Sequence, residues 1–258
     1  MGKVKPHKYG KFTVDQLRQM VQMIPEFEKM RADMTLALGE SHEKSAPWLQ
    51  PGLAWAAEYT YPIEIQITRL AEVMGVGDKL IEAANSDDPA ILLSNLVDHD
   101  DGEAWNGGGN GEFEKHHLLG RLLGVAATFD CLMLYGCYIN EFLVLAKDNG
   151  DDEALFKAIR VDPVVVTCEF AAHRISVAVA VGDRMFLKGL QTALLGKTGD
   201  QAQYLKEFRF LMQFLDESRM LDRPTTELSS LCLEIGAYDD HPNAVKNLSE
   251  LIRKFRML

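Results

Sequence analysis

Apolar residues recur at helical spacing along most of this chain. Leu17, Met20, Val21 and Ile24 stand at i, i+3, i+4 and i+7, the pattern of one buried helix face. Thr13 precedes them as an N-cap and Gln16 follows three residues on, as in a capping box, so the first helix is expected to begin near Val14. Pro25 lacks a backbone donor, which predicts a kink or restart before Phe27, Met30, Met34 and Leu38 resume the pattern and Gly39 ends it. Ser45 to Tyr61, with Pro47, Trp48, Pro51 and Trp55, reads as turns around a short helix from about Leu53 to Tyr59. Ile63, Ile67, Leu70 and Met74 mark another helix, closed by Gly75 and Gly77. Asp78 is placed to cap a helix carrying Leu80, Ile81 and Ala84, and Asp88 with Pro89 opens one through Val97.

Residues 98–111 interrupt this pattern with acidic residues and with Gly107, Gly108, Gly109 and Gly111, the composition of a flexible linker. A long apolar run from about 116 to 146 then predicts a single buried central helix. After a polar turn at Asp148 to Asp152, a helix through Leu155, Phe156 and Ile159 is expected. Asp162 with Pro163, Thr167 and Asp183 are further helix starts, while Gly182, Gly189 and Gly196 weaken or end the helices between them. Val164, Val165 and Val166 would suit a strand, but they lie between helix-start signals with no strand partner, and so read as a helical turn. Tyr204, Leu205, Phe208, Leu211, Met212 and Leu215 define a helix expected to end near Leu221. Two short helices, Leu228 to Ile235 and Ala244 to Phe255, close the chain. The expected fold class is all-α: a compact multi-helix bundle around a buried central helix, with short C-terminal helices. One domain over residues 1–258 is the default, with a possible division into 1–100 and 112–258.

At 258 residues and 47% hydrophobic content, the chain is long enough for a substantial core. Its formal net charge of −11 argues against general nucleic-acid binding, because any phosphate-binding surface would have to be local. Leu118 to Ala146 is long enough to span a bilayer, but Asp130 near its middle, with Arg121, Asn140 and Glu141 elsewhere in it, makes a buried core helix the better reading. Cys131, Cys137, Cys168 and Cys232 sit in apolar helical patterns without a CxxC pair and are expected to be free thiols in a reducing compartment. Four lysines in Met1 to Lys11 are not followed by the apolar stretch of a secretory signal, so a soluble, cytoplasmic protein is expected.

Chemistry concentrates around the glycine-rich segment. Asp98, His99, Asp100, Asp101 and Glu103 follow an apolar helix, and imidazole and carboxylate side by side suit a divalent cation. The His99-Asp100 pair, with the apolar helix Ile91 to Val97 before it, resembles the central motif of the all-α HD-type metal-dependent phosphohydrolases. That resemblance implies an upstream His and a downstream Asp, for which His42 and Asp130 are candidates; Asp101 stands where that family places an apolar residue. On the other side of the segment, Glu114 and His117 form an ExxH spacing of the kind di-iron bundles use, but no second ExxH exists in the chain. Should the two flanks converge, His99, Asp100, Asp101, Glu114 and His117 would form a metal cage under a lid of Trp105, Gly107, Gly108 and Gly109. Arg121, Asp130 and Glu141 are expected as buried polar residues; Arg121 and Asp130 are nine positions apart, so each must find a partner on another helix. His173, four residues after Glu169, reads as a helix-surface pair with it.

No nucleophile elbow, P-loop or dinucleotide fingerprint occurs. The leading expectation is therefore a non-catalytic helical scaffold or interaction protein, binding a protein partner or itself, with no cofactor. The alternative is a metal-dependent hydrolase or oxidase using a divalent metal. A third reading is a DNA-binding regulator acting through Lys246, Arg253, Lys254 and Arg256 of the last helix, against which Asp239 and Asp240 in the preceding connection would repel phosphate.

Overall fold

The computed structural model describes residues 8–9, 12–29, 31–32, 54–86, 92, 115–196 and 203–256, and the fold is all-α. Helix α1 (Val14–Gln22) begins at the capping box: the Gln16 amide donates to Thr13 Oγ1 at 3.3 Å and the Thr13 amide donates to Gln16 Oε1 at 2.8 Å. A turn at Met23 precedes a second helical segment over 24–29, so the chain restarts at Pro25 as its missing donor requires. A minimal antiparallel pairing of Lys8–Tyr9 with Phe12–Thr13, unforeseen from the hydrophobic pattern, leads into α1.

A 3-10 helix (Ala54–Thr60) stands where a short helix was expected and is followed by α2 (Ile63–Val73) and α3 (Gly77–Asn85). The N-cap of α3 is Val76, which makes no side-chain cap bond; Asp78 lies inside the first turn and favours the helix dipole instead of capping.

The expected single central helix is two helices. α4 (Lys115–Tyr135) and α5 (Ile139–Asn149) meet at a bend of 80°. Gly136 takes a left-handed φ of 79° and Tyr138 is extended, ending the first ladder, while Glu141 accepts from the Tyr138 amide at 2.7 Å and starts the second. Hydrophobic continuity concealed the break, because an apolar run carries no information about where its backbone turns. Among the described residues no single helix is long and apolar enough to cross a membrane.

Local capping sets most of the later helix boundaries. Asp151 caps α6 (Asp152–Val161), accepting from the Glu153 and Ala154 amides at 3.0 Å. Asp162 accepts from the Val164 amide at 2.9 Å and begins a 3-10 helix (Pro163–Thr167), the helical turn expected of the valine run. α7 (Glu169–Val181) begins after Cys168, one residue past the expected Thr167, and ends at left-handed Gly182. Asp183 caps α8 (Arg184–Leu194). α9 (Gln203–Glu217) stops four residues short of Leu221, since Arg219 adopts φ 56°. α10 (Thr225–Glu234) and α11 (Ala244–Phe255) close the fold.

The buried apolar residues form two clusters. One gathers Tyr59, Leu123, Ala127, Ile139, Leu155 and Ile159 from the 3-10 helices and α4 to α8. The other gathers Leu17, Leu211, Leu215, Leu228, Leu231 and Leu248 from α1 and α9 to α11. α4 contributes to the first and packs on α9 of the second, where the Phe129 ring lies 6.3 Å from Phe210 and 5.8 Å from Phe27.

Candidate functional site

Most of the expected metal cage falls outside the described residues. His99, Asp100, Asp101 and Glu114, with the lid residues Trp105, Gly107, Gly108 and Gly109, and also His42 and Glu103, all lie there, while His117 stands in the first turn of α4. Among the described residues no group of three His, Cys, Asp or Glu side chains is placed to hold a metal ion.

The three polar residues expected inside the core have different fates. Asp130 is 3% exposed and forms an ion pair with Arg31, which also donates to the Val161 carbonyl at 3.1 Å. Arg121 is half-buried and faces Glu58 at 3.5 Å, the same carboxylate that meets Arg69 at 3.3 Å. Glu141 is exposed: the break at Gly136 makes it a first-turn capping residue of α5 instead of a core residue. Beside the Arg31–Asp130 pair, the buried Tyr59 hydroxyl donates to Asp162, and burial together with that carboxylate raises its phenol well above the ordinary value. Thr128 donates to Gln66 Oε1 at 3.1 Å. These groups cross-link α4 and its neighbours in a low-dielectric interior, where an unpaired charge would cost on the order of 3 to 5 kcal/mol.

In the C-terminal helices, Arg256 donates to the Leu221 and Arg223 carbonyls and to Thr225 Oγ1, tying α11 to the loop before α10, whereas Lys246, Arg253 and Lys254 are exposed.

A cavity of about 750 Å³ opens between the first 3-10 helix, α5 and the start of α7. Asn140, Leu143, Val144 and Lys147 line it at i, i+3, i+4 and i+7, one stripe of α5. Ala57 and Thr60 form the facing wall, and Cys168, Glu169, Phe170 and His173 close the third side. The Cys168 thiol donates to the Ala56 carbonyl at 3.3 Å, and burial pushes it up to about 12, so it is a protonated packing group and no nucleophile. The Thr60 and Thr167 hydroxyls turn to the Ala57 and Val164 carbonyls. Asn140 Oδ1 is buried without a hydrogen-bond partner among the described residues. Glu169 and His173, expected to pair on the helix surface, make no ion pair with one another and line the cavity instead.

Next to this cavity, α7 presents an unusual outward face. It buries only Ala171 and Ala178, leaving Ala172, Ser176 and Ala180 exposed at i, i+4 and i+8. Val177, Val179 and Val181 flank this stripe at 41%, 62% and 72% exposure, and Met185 beyond the turn is 82% exposed. Arg174 is turned away, paired with Asp152 at 2.6 Å and Asp183 at 3.1 Å and stacked 3.9 Å over the Phe186 ring. The sequence held a usable signal for this face: from Ile175 to Val181 the helix carries no charged residue on any side, and such a surface has to be buried by something. The cavity had a weaker one, the α5 stripe ending in Lys147, which becomes visible only once α5 is separated from α4. The chain matches no protein-family model, no curated protein and no solved structure.

Proposed function

We propose that the protein is a non-catalytic helical interaction protein that associates with a second copy of itself through the outward face of α7. The observation that supports this reading is the uncharged, apolar surface of Val177, Val179, Val181 and Met185 around the small-residue stripe Ala172, Ser176 and Ala180. Soluble monomers rarely leave a contiguous apolar patch of several hundred Å² in water. α7 has 13 residues and is about 20 Å long. With Met185, such a face supplies the apolar centre of an interface, and the surface around it contributes the rest of the ~800 Å² per partner that a standard one buries.

Charge and shape favour a like partner. A chain of net charge −11 repels its copy wherever acidic surfaces meet, and this face carries no carboxylate between Ala172 and Val181. Small side chains let two helices approach towards the lower end of the ~8 to 10 Å interaxial range. Twofold packing then sets the valines of each copy over the stripe of the other.

Light scattering on the full chain tests the proposal: a mass of twice the monomer is expected at micromolar concentration. Val177→Glu and Val181→Glu, both at exposed positions, are expected to give monomers with unchanged circular dichroism. A wild-type chain that stays monomeric up to ~100 µM, well above the affinity expected of a standard interface, overturns it.

A further inference from the structure

We propose that the cavity between the first 3-10 helix, α5 and α7 is a binding site for a small organic monoanion with an apolar body. This inference stands apart from self-association, since it rests on cavity-lining groups that the α7 face does not use.

The polar groups around the cavity divide into those already satisfied and those left over. The Thr60, Thr167 and Cys168 donors are each occupied by a backbone carbonyl. Among the described residues, Lys147 and His173 have no hydrogen-bond or ion-pair partner. The N-cap of α7, Cys168, makes no side-chain cap bond, so the first-turn amides, which a helix cannot satisfy internally, end at the cavity without a side-chain acceptor. An ammonium and an uncapped helix N-terminus lining one cavity attract negative charge from two independent sources, the lysine and the helix dipole.

The remaining wall selects what carries that charge. Leu143, Val144 and Phe170 give an apolar lining, which suits a hydrocarbon or aromatic body. Glu169 shares the rim and disfavours a second negative charge, so a carboxylate fits better than a polyphosphate.

The test is isothermal titration of the full chain with sodium octanoate at low salt, with octanol as the uncharged probe of the same length. Saturable one-to-one binding of octanoate and none of octanol is expected. Lys147→Gln is expected to weaken octanoate binding tenfold or more, and Ala57→Trp, which fills the mouth from an exposed position, to abolish it. Val181→Glu is expected to bind as the parent does. The proposal is overturned if octanoate does not bind saturably, if octanol binds equally well, or if Lys147→Gln and Ala57→Trp both retain parental affinity. Loss of binding in Val181→Glu also overturns it, because the anion would then sit on the α7 face.

Discussion

Gly189 lies inside α8, where alanine should stabilise the helix by roughly 1 kcal/mol on intrinsic propensity. The structure predicts the opposite sign. A Cβ at this position would stand 2.3 Å from Phe156 Cε2, 2.6 Å from Cζ and 3.0 Å from Cδ2. Restoring ordinary contact requires the Phe156 ring to retreat by about 1 Å, and carbon pairs are comfortable only near ~3.5 Å. The ring is 7% exposed and already lies 5.2 Å from the Phe186 ring, so it has no free space to enter. Overpacking of this kind costs about 1 to 3 kcal/mol, which outweighs the propensity gain and leaves Gly189→Ala destabilised by about 1 kcal/mol. Urea unfolding measures it, and a double-mutant cycle with Phe156→Leu separates the two effects. The propensity gain is identical in both backgrounds and cancels, so a coupling of about 1 to 3 kcal/mol reports the clash alone. In the Phe156→Leu background, Gly189→Ala should be neutral or stabilising. A stabilised single variant with zero coupling would refute the reasoning.

Titration and burial give two further expected outcomes. The Phe186 amide and then Arg174 hold the Asp183 carboxyl below the ordinary value, so its folded form binds protons less readily than its unfolded form. That contribution is fully present above the unfolded value of ~3.9 and is lost as pH falls through the lower folded value. The stability gap between wild type and Asp183→Asn should therefore be widest near neutral pH and close towards pH ~2, as read from urea midpoints; a gap that widens on acidification refutes it. Burial pushes the Cys168 and Cys232 thiols up to about 12, whereas Cys137 is half-buried. A thiol reagent at pH ~8 should accordingly label Cys137 first in the folded protein and reach Cys168 and Cys232 only on unfolding, by mass spectrometry; early labelling of Cys168 would contradict its packing.

Features decided within three or four residues could be read directly from the sequence. Thr13 with Gln16, Asp162 before Pro163, Asp183 before Arg184 and Gly182 after Val181 each satisfy or end a helix by contacts to their own neighbours, so residue type and spacing suffice to predict them. The all-α class comes from the same locality, because the period of apolar residues reports the backbone that presents them. The 80° turn at Gly136 and the Glu141 bond to the Tyr138 amide are local as well, but the continuous apolar run near 116–146 hid them, whereas tertiary structure alone decided that Glu169 and His173 face a cavity instead of one another. Asp130 signalled its need for a partner, but any arginine would have met that need on paper. The selection of Arg31, like the pairing of Tyr59 with Asp162 across 103 positions, depends on how helices distant in sequence pack. Helix capping depends on contacts within a single turn, whereas the partner of a buried charge depends on the summed packing of the chain between them, which no local spacing encodes.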